Sequence, residues 1–118
     1  MTIKNNFAVW GAVSELVSAY KKMNSENELV DDIESQDLVK KAIAAKYDFF
    51  YRNGLLLVNP FSEEGELIDR VYRRKDFSDE GFELCRKKVP AWMRSKASKK
   101  NPPDISALEK ALKDMRGA

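Results

Sequence analysis

The sequence predicts an α+β domain, mostly helical, with one two-stranded antiparallel β-hairpin near its middle. Apolar residues recur at three- and four-residue steps before position 53 and again after position 78, the period of amphipathic helices. Between them runs NGLLLVNPFSEEGELIDRVYRRKDFSDEG, residues Asn53–Gly81, where Gly and Pro separate two short apolar runs as in a hairpin. The chain of 118 residues is 43% hydrophobic and 10% aromatic, enough for a single domain with its own core. The expected organisation is a helical part over 1–53, a hairpin over 54–74, and C-terminal helices over 78–98 and 104–116. Five helices are expected, one of them short.

Residues 5–23 place Phe7, Trp10, Val13, Leu16, Val17, Tyr20 and Met23 on one helical stripe. Asn24–Ser25 breaks it, and ENELVDDIE over 26–34 predicts a short helix carrying Leu29, Val30 and Ile33. Ser35 then suits the N-cap of a helix over 36–52. Its broad apolar arc (Leu38, Val39, Ala42, Ile43, Tyr47, Phe50) places it mid-domain, and core packing accounts for Tyr47, Phe49, Phe50 and Tyr51 better than a ligand cage does.

Gly54 suits the left-handed position that ends a helix. Leu55–Val58 and Leu67–Arg73 predict the two paired strands, with Asn59–Pro60 and Gly65 in the connection. Ser78 is a good N-cap, followed by Asp79 and Glu80 where negative charge favours a helix start. The helix from 79 buries Phe82, Cys85, Val89, Trp92 and Met93 in this reading, and Pro90 predicts a kink or break. After Asn101–Asp104 a last helix carries Ile105, Leu108, Ala111, Leu112 and Met115, capped by Ser106 with Glu109 or by Asp104.

Composition narrows the chemistry. Cys85 is alone and reads as a core thiol, and there is no histidine, so cysteine zinc clusters, HExxH sites and His-based nucleophile activation are all excluded. No catalytic residues, cofactor or metal are expected, and the protein reads as a non-enzymatic binder. The apolar runs fall far short of the ~20 residues that span a bilayer. No signal peptide is evident at the N-terminus, so a cytoplasmic setting is expected.

The Gly54–Leu55 pair after a helix, and Phe77–Ser78–Asp79–Glu80–Gly81 at the next helix start, resemble the wing entry and the Leu-Thr-x-x-Gly helix start of bacterial winged helix-turn-helix repressors. The resemblance spans roughly a third of the chain. It implies that residues 36–52 occupy the recognition-helix position and that Pro60–Glu66 forms the wing tip. Lys40, Lys41 and Lys46 would then reach a DNA groove, Arg70, Arg73 and Arg74 would meet phosphates, and the C-terminal helices would mediate dimerisation.

Charge placement argues for a different partner. Glu26, Glu28, Asp31, Asp32, Glu34 and Asp37 fall in a stretch without Lys or Arg, and Glu63, Glu64 and Glu66 add acid at the wing tip. Carboxylates flanking a groove-reading surface repel phosphate. The net charge of +2 hides a split, −4 over 1–38 and +6 over 39–118, with seven cations and no acid between Leu84 and Pro103. An acidic face of this kind complements a basic protein. The leading expectation is an immunity-type inhibitor that neutralises a basic, nuclease-like bacterial toxin or enzyme. The alternative is a winged-helix DNA-binding transcriptional regulator.

Overall fold

Trp10, buried to 5% exposure, reaches the core from an extended segment. The computed structural model describes residues 6–117, so Asn5, at the start of the first expected helix, and both chain ends lie outside the described residues. The expected helix over 5–23 is replaced by β1 (Ala8–Trp10), α1 (Val13–Ser18) and β2 (Lys21–Met23). Of its apolar stripe only Trp10 and Val13 are buried, while Phe7, Leu16, Tyr20 and Met23 are exposed. The period was helical, but the residues bearing it do not share one face of a core.

The expected short helix over 26–34 is also replaced. β3 (Leu29–Asp31) pairs antiparallel with β2, with Lys21 opposite Asp31 and Met23 opposite Leu29. Turn chemistry decides this: the Asn24 side-chain carbonyl accepts from the amides of Glu26 and Glu28, both at 2.9 Å, and Asn27 takes a positive φ of 61°.

α2 (Ile33–Arg52) begins earlier than expected. Asp32, not Ser35, is its N-cap, its carboxylate accepting from the Ser35 amide at 3.2 Å and the Ser35 hydroxyl at 2.8 Å. It is the central helix, burying Ala42, Ile43, Lys46, Tyr47, Phe49 and Phe50, whereas Tyr51 points outward. Gly54, at φ 71°, closes it as expected: the Leu55 amide donates to the Phe50 carbonyl and the Gly54 amide to that of Tyr51.

The central hairpin over 54–74 is not formed as expected. Leu55 and Leu56 sink into the core, and Leu56 makes a single bridge to Phe77. Gly65 (φ 84°) does turn the chain, and Phe61 bridges Leu67 across it. β4 (Tyr72–Arg73) pairs with β1, far away in sequence, rather than with Leu55–Val58. Pairing with β1 puts Tyr72 beside Trp10, which a hairpin with Leu55–Val58 would not do.

α3 (Asp79–Arg94) is capped by Ser78, whose hydroxyl accepts from the Gly81 amide at 2.9 Å, as expected. The helix runs through Pro90 without a break. Arg86 and Pro90 both lie on the exposed face, so the carbonyl that Pro90 leaves without a donor meets solvent. α4 (Ser106–Met115) starts from Asp104, whose carboxylate accepts from the Ser106 amide and hydroxyl; the Ser106–Glu109 box is not formed. Among the described residues there are thus four α-helices and two two-stranded antiparallel sheets. Among the described residues no helix is long and apolar enough to cross a membrane.

Gly81 decides how closely α3 packs. A Cβ there would stand 2.2 Å from the Leu55 carbonyl oxygen and 2.8 Å from its carbon, both backbone atoms. The same carbonyl accepts from the Ser78 amide at 3.0 Å, so the helix start is held against that segment. Gly81→Ala is therefore expected to destabilise the protein by about 1–3 kcal/mol, although alanine favours a helix by about 1 kcal/mol. A urea titration giving equal or higher stability for Gly81→Ala would disprove the close approach.

Candidate functional site

α2 presents a groove on each flank, and the two differ in charge. On one flank Asp37, Lys40, Lys41 and Ala44 face the loop residues Phe61, Glu66, Leu67 and Asp69 across a groove of about 590 Å³. On the other, Leu38, Val39 and Ala42 face Met93, Arg94 and Lys99 across a groove of about 380 Å³. Helical spacing separates the two sets: 37, 40, 41 and 44 lie on one side of the buried stripe through Ile43, and 35, 38, 39 and 42 on the other.

The first flank brings part of the expected acidic set together. Asp37 and Glu66, far apart in sequence, line the same groove, and Glu63 and Glu64 stand exposed in the adjoining turn. Other members have structural partners. Asp31 pairs with Lys21 and accepts from Gln36, and these bonds hold its carboxyl below the usual range. Asp32 is likewise held low by its bonds to Ser35. Glu28 accepts from the Asn24 amide group at 3.2 Å, and Asp37 pairs with Lys41 at 3.1 Å. Among the described residues no cation lies within ion-pair distance of Glu26, Glu34, Glu63, Glu64 or Glu66.

Sequence reasoning missed Asp69. Its carboxylate accepts from the Ser14 amide at 3.0 Å, satisfying a donor at the start of α1, and that bond lowers its pKa. No local signal couples residues 14 and 69, because the contact exists only once the loop folds back onto α1.

Most of the cations that the winged-helix resemblance assigns to DNA are engaged elsewhere. Lys46 is buried, its ammonium 4.5 Å from the centre of the Trp10 ring and 5.2 Å from that of Tyr47. Arg70 lies over Tyr72 at 4.8 Å and reaches the buried Asp76 at 3.5 Å. Arg73 donates to the Asn6 carbonyl at 3.4 Å. Arg74 covers Phe82 at 4.6 Å, donates to the Phe77 carbonyl at 3.1 Å and pairs with Asp79. Lys41 is paired with Asp37, leaving Lys40 exposed beside it without an ion pair among the described residues.

Cys85 is buried and accepts from the Trp10 indole N–H at 2.9 Å. Burial pushes its thiol pKa up, the reverse of what a nucleophilic thiolate requires. Among the described residues no group of three or more Cys, Asp or Glu side chains is placed to hold a metal ion. No protein-family model, curated protein or solved structure matches the chain.

Proposed function

We propose that this protein is a non-enzymatic inhibitor that binds a basic protein, of the kind a nuclease presents at its nucleic-acid cleft, through Glu34 at the start of α2 and the acidic 62–66 turn. The supporting observation is a contrast in availability. Glu34, Glu63, Glu64 and Glu66 face solvent without an intramolecular cation among the described residues, whereas five of the six cations that DNA binding requires are buried, stacked or bonded. Ile33, 67% exposed beside Glu34, adds an apolar contact that water solvates poorly. An apolar centre with a charged rim is the usual anatomy of a binding face. Carboxylates held ready on a rigid helix and a closed turn steer a basic partner and then accept charge-assisted bonds from its Arg and Lys side chains.

The products of genes adjacent to this one, especially basic nucleases, are the partners to test by biolayer interferometry. With the cognate partner, Glu63→Lys/Glu64→Lys/Glu66→Lys is expected to slow association at least about tenfold at low salt, and far less at high salt. Among the described residues these three side chains make no hydrogen bond or ion pair, so the variant separates binding from stability. An unchanged association rate would remove this face from the reading. Anisotropy of labelled random-sequence duplex DNA supplies the opposing arm: binding that weakens steeply with salt would favour the winged-helix regulator instead.

A further inference from the structure

The second flank of α2 is apolar at its floor and basic at its rim, and the chain itself carries the complement. Leu38, Val39, Ala42 and Met93 line about 380 Å³ of open groove, with Arg94 and Lys99 at its edge. The neighbouring turn of the β2–β3 hairpin has the opposite character. Met23 and Leu29, paired across the two strands and so on one face, are 57% and 67% exposed, and Glu26 and Glu28 stand exposed in the turn. A two-stranded hairpin that leaves its large apolar pair in water is marginally stable by itself, and covering that pair would stabilise it.

We propose that the protein forms a two-fold symmetric dimer in which the hairpin turn of each copy enters the apolar groove of the other. Two adjacent, complementary patches on one surface are what such symmetry requires, because each contact is made twice. Here the patches share a border, since Tyr20, immediately before β2, and Ser35, in the first turn of α2, both line the groove. Met23 and Leu29 of one copy then lie against Leu38, Val39 and Met93 of the other, and the volume is ample for two aliphatic side chains. Glu26 and Glu28 meet Arg94 and Lys99, and neither cation forms an ion pair within its own chain among the described residues. Reciprocity doubles the buried area of a single hairpin contact, toward the roughly 800 Å² per partner of a stable interface. The occupied flank of α2 is opposite the one lined by Asp37 and Glu66, so the dimer leaves the turn acids Glu63, Glu64 and Glu66 open. The inference goes beyond the function proposed above and stands without it.

Sedimentation velocity on the full chain tests it. The wild type is expected to sediment as a dimer at about 20 mM salt, and to shift toward monomer at about 500 mM as the charge pairs are screened. Glu26→Lys/Glu28→Lys and Arg94→Glu/Lys99→Glu, each checked for folding by circular dichroism, are each expected to be monomeric. Mixed together they should recover the dimer, because in the mixed pair each hairpin again meets a groove of opposite charge. A monomeric wild type at both salt concentrations, a dimer indifferent to either swap, or swapped variants that do not recombine would each overturn the proposal.

Discussion

Trp10→Ala is expected to cost about 3–5 kcal/mol of unfolding free energy, the largest loss of any single substitution considered for this chain. The indole is the hub of the aromatic core. It stacks on Tyr47 with centroids 4.4 Å apart and planes 5° apart, and meets Phe50, Tyr72 and Phe77 edge-on at 5.0, 6.0 and 4.7 Å. Its N–H reaches Cys85 on α3, so one side chain ties β1, β4, α2 and α3 together. Truncation leaves a cavity lined by the four rings of Tyr47, Phe50, Tyr72 and Phe77, which cannot readily collapse because each is packed on others. Trp10→Phe keeps much of the ring contact and should lose clearly less. Urea denaturation followed by far-UV circular dichroism reads both. A loss under about 1 kcal/mol for Trp10→Ala would mean that β1 does not belong to the core.

Lys46→Met is expected to stabilise the protein at neutral pH by up to about 3 kcal/mol, with a gain that vanishes in alkali. Lys46 is only 4% exposed, and burial pushes its pKa down to about 8. The folded state therefore resists protonation that the unfolded chain accepts below its ordinary value of 10.5. Between about pH 8 and 10.5 the unfolded state binds more protons, so stability attributable to this residue rises with pH across that window. Below about pH 8 the penalty is complete, and above 10.5 it is gone. The aromatic faces of Trp10 and Tyr47 offset part of the cost of the buried charge, but rings solvate an ammonium less well than water does. Methionine has similar length and no charge, so the difference between wild type and variant should shrink below about 1 kcal/mol at pH 10. Tyr47, Tyr72 and Cys85, whose pKa values burial raises, also titrate in alkali, but they are present in both proteins and largely cancel in the difference. A gain of the same size at pH 7 and pH 10, or a destabilised variant, would contradict the buried-charge account.

These two residues show where reading the sequence reaches its limit. The apolar pattern of residues 5–23 includes Trp10, but it equally includes Phe7 and Tyr20, which are exposed, and its helical period points to a helix where Trp10 lies on β1. The winged-helix resemblance implies a groove-facing Lys46, and Lys on a helix is normally solvated. Its burial depends on Trp10 arriving from β1, a contact that nothing between residues 36 and 52 announces. The acidic set fared similarly. Its composition was plain in the sequence, yet which carboxylates are free was not, because Asp32 is consumed by a cap and Asp31 by a cross-strand lysine.

What the sequence by itself determined was the three longer helices, with the end of α2 and the start of α3. α2, α3 and α4, the Ser78 cap, the Gly54 stop and the aromatic side of α2 all follow from interactions within a few residues, and these are written into local order. The tertiary structure decided the rest. Residues 7–31 became strands and a short helix because β1 found β4, and because Asn24 and Asn27 favoured a turn over another helical repeat. The hairpin expected after Gly54 was lost to the same competition, since Leu55 and Leu56 gain more by entering the core than by pairing with Leu67–Arg73. A helix makes its hydrogen bonds to itself, whereas a strand needs a partner whose position only the whole fold supplies.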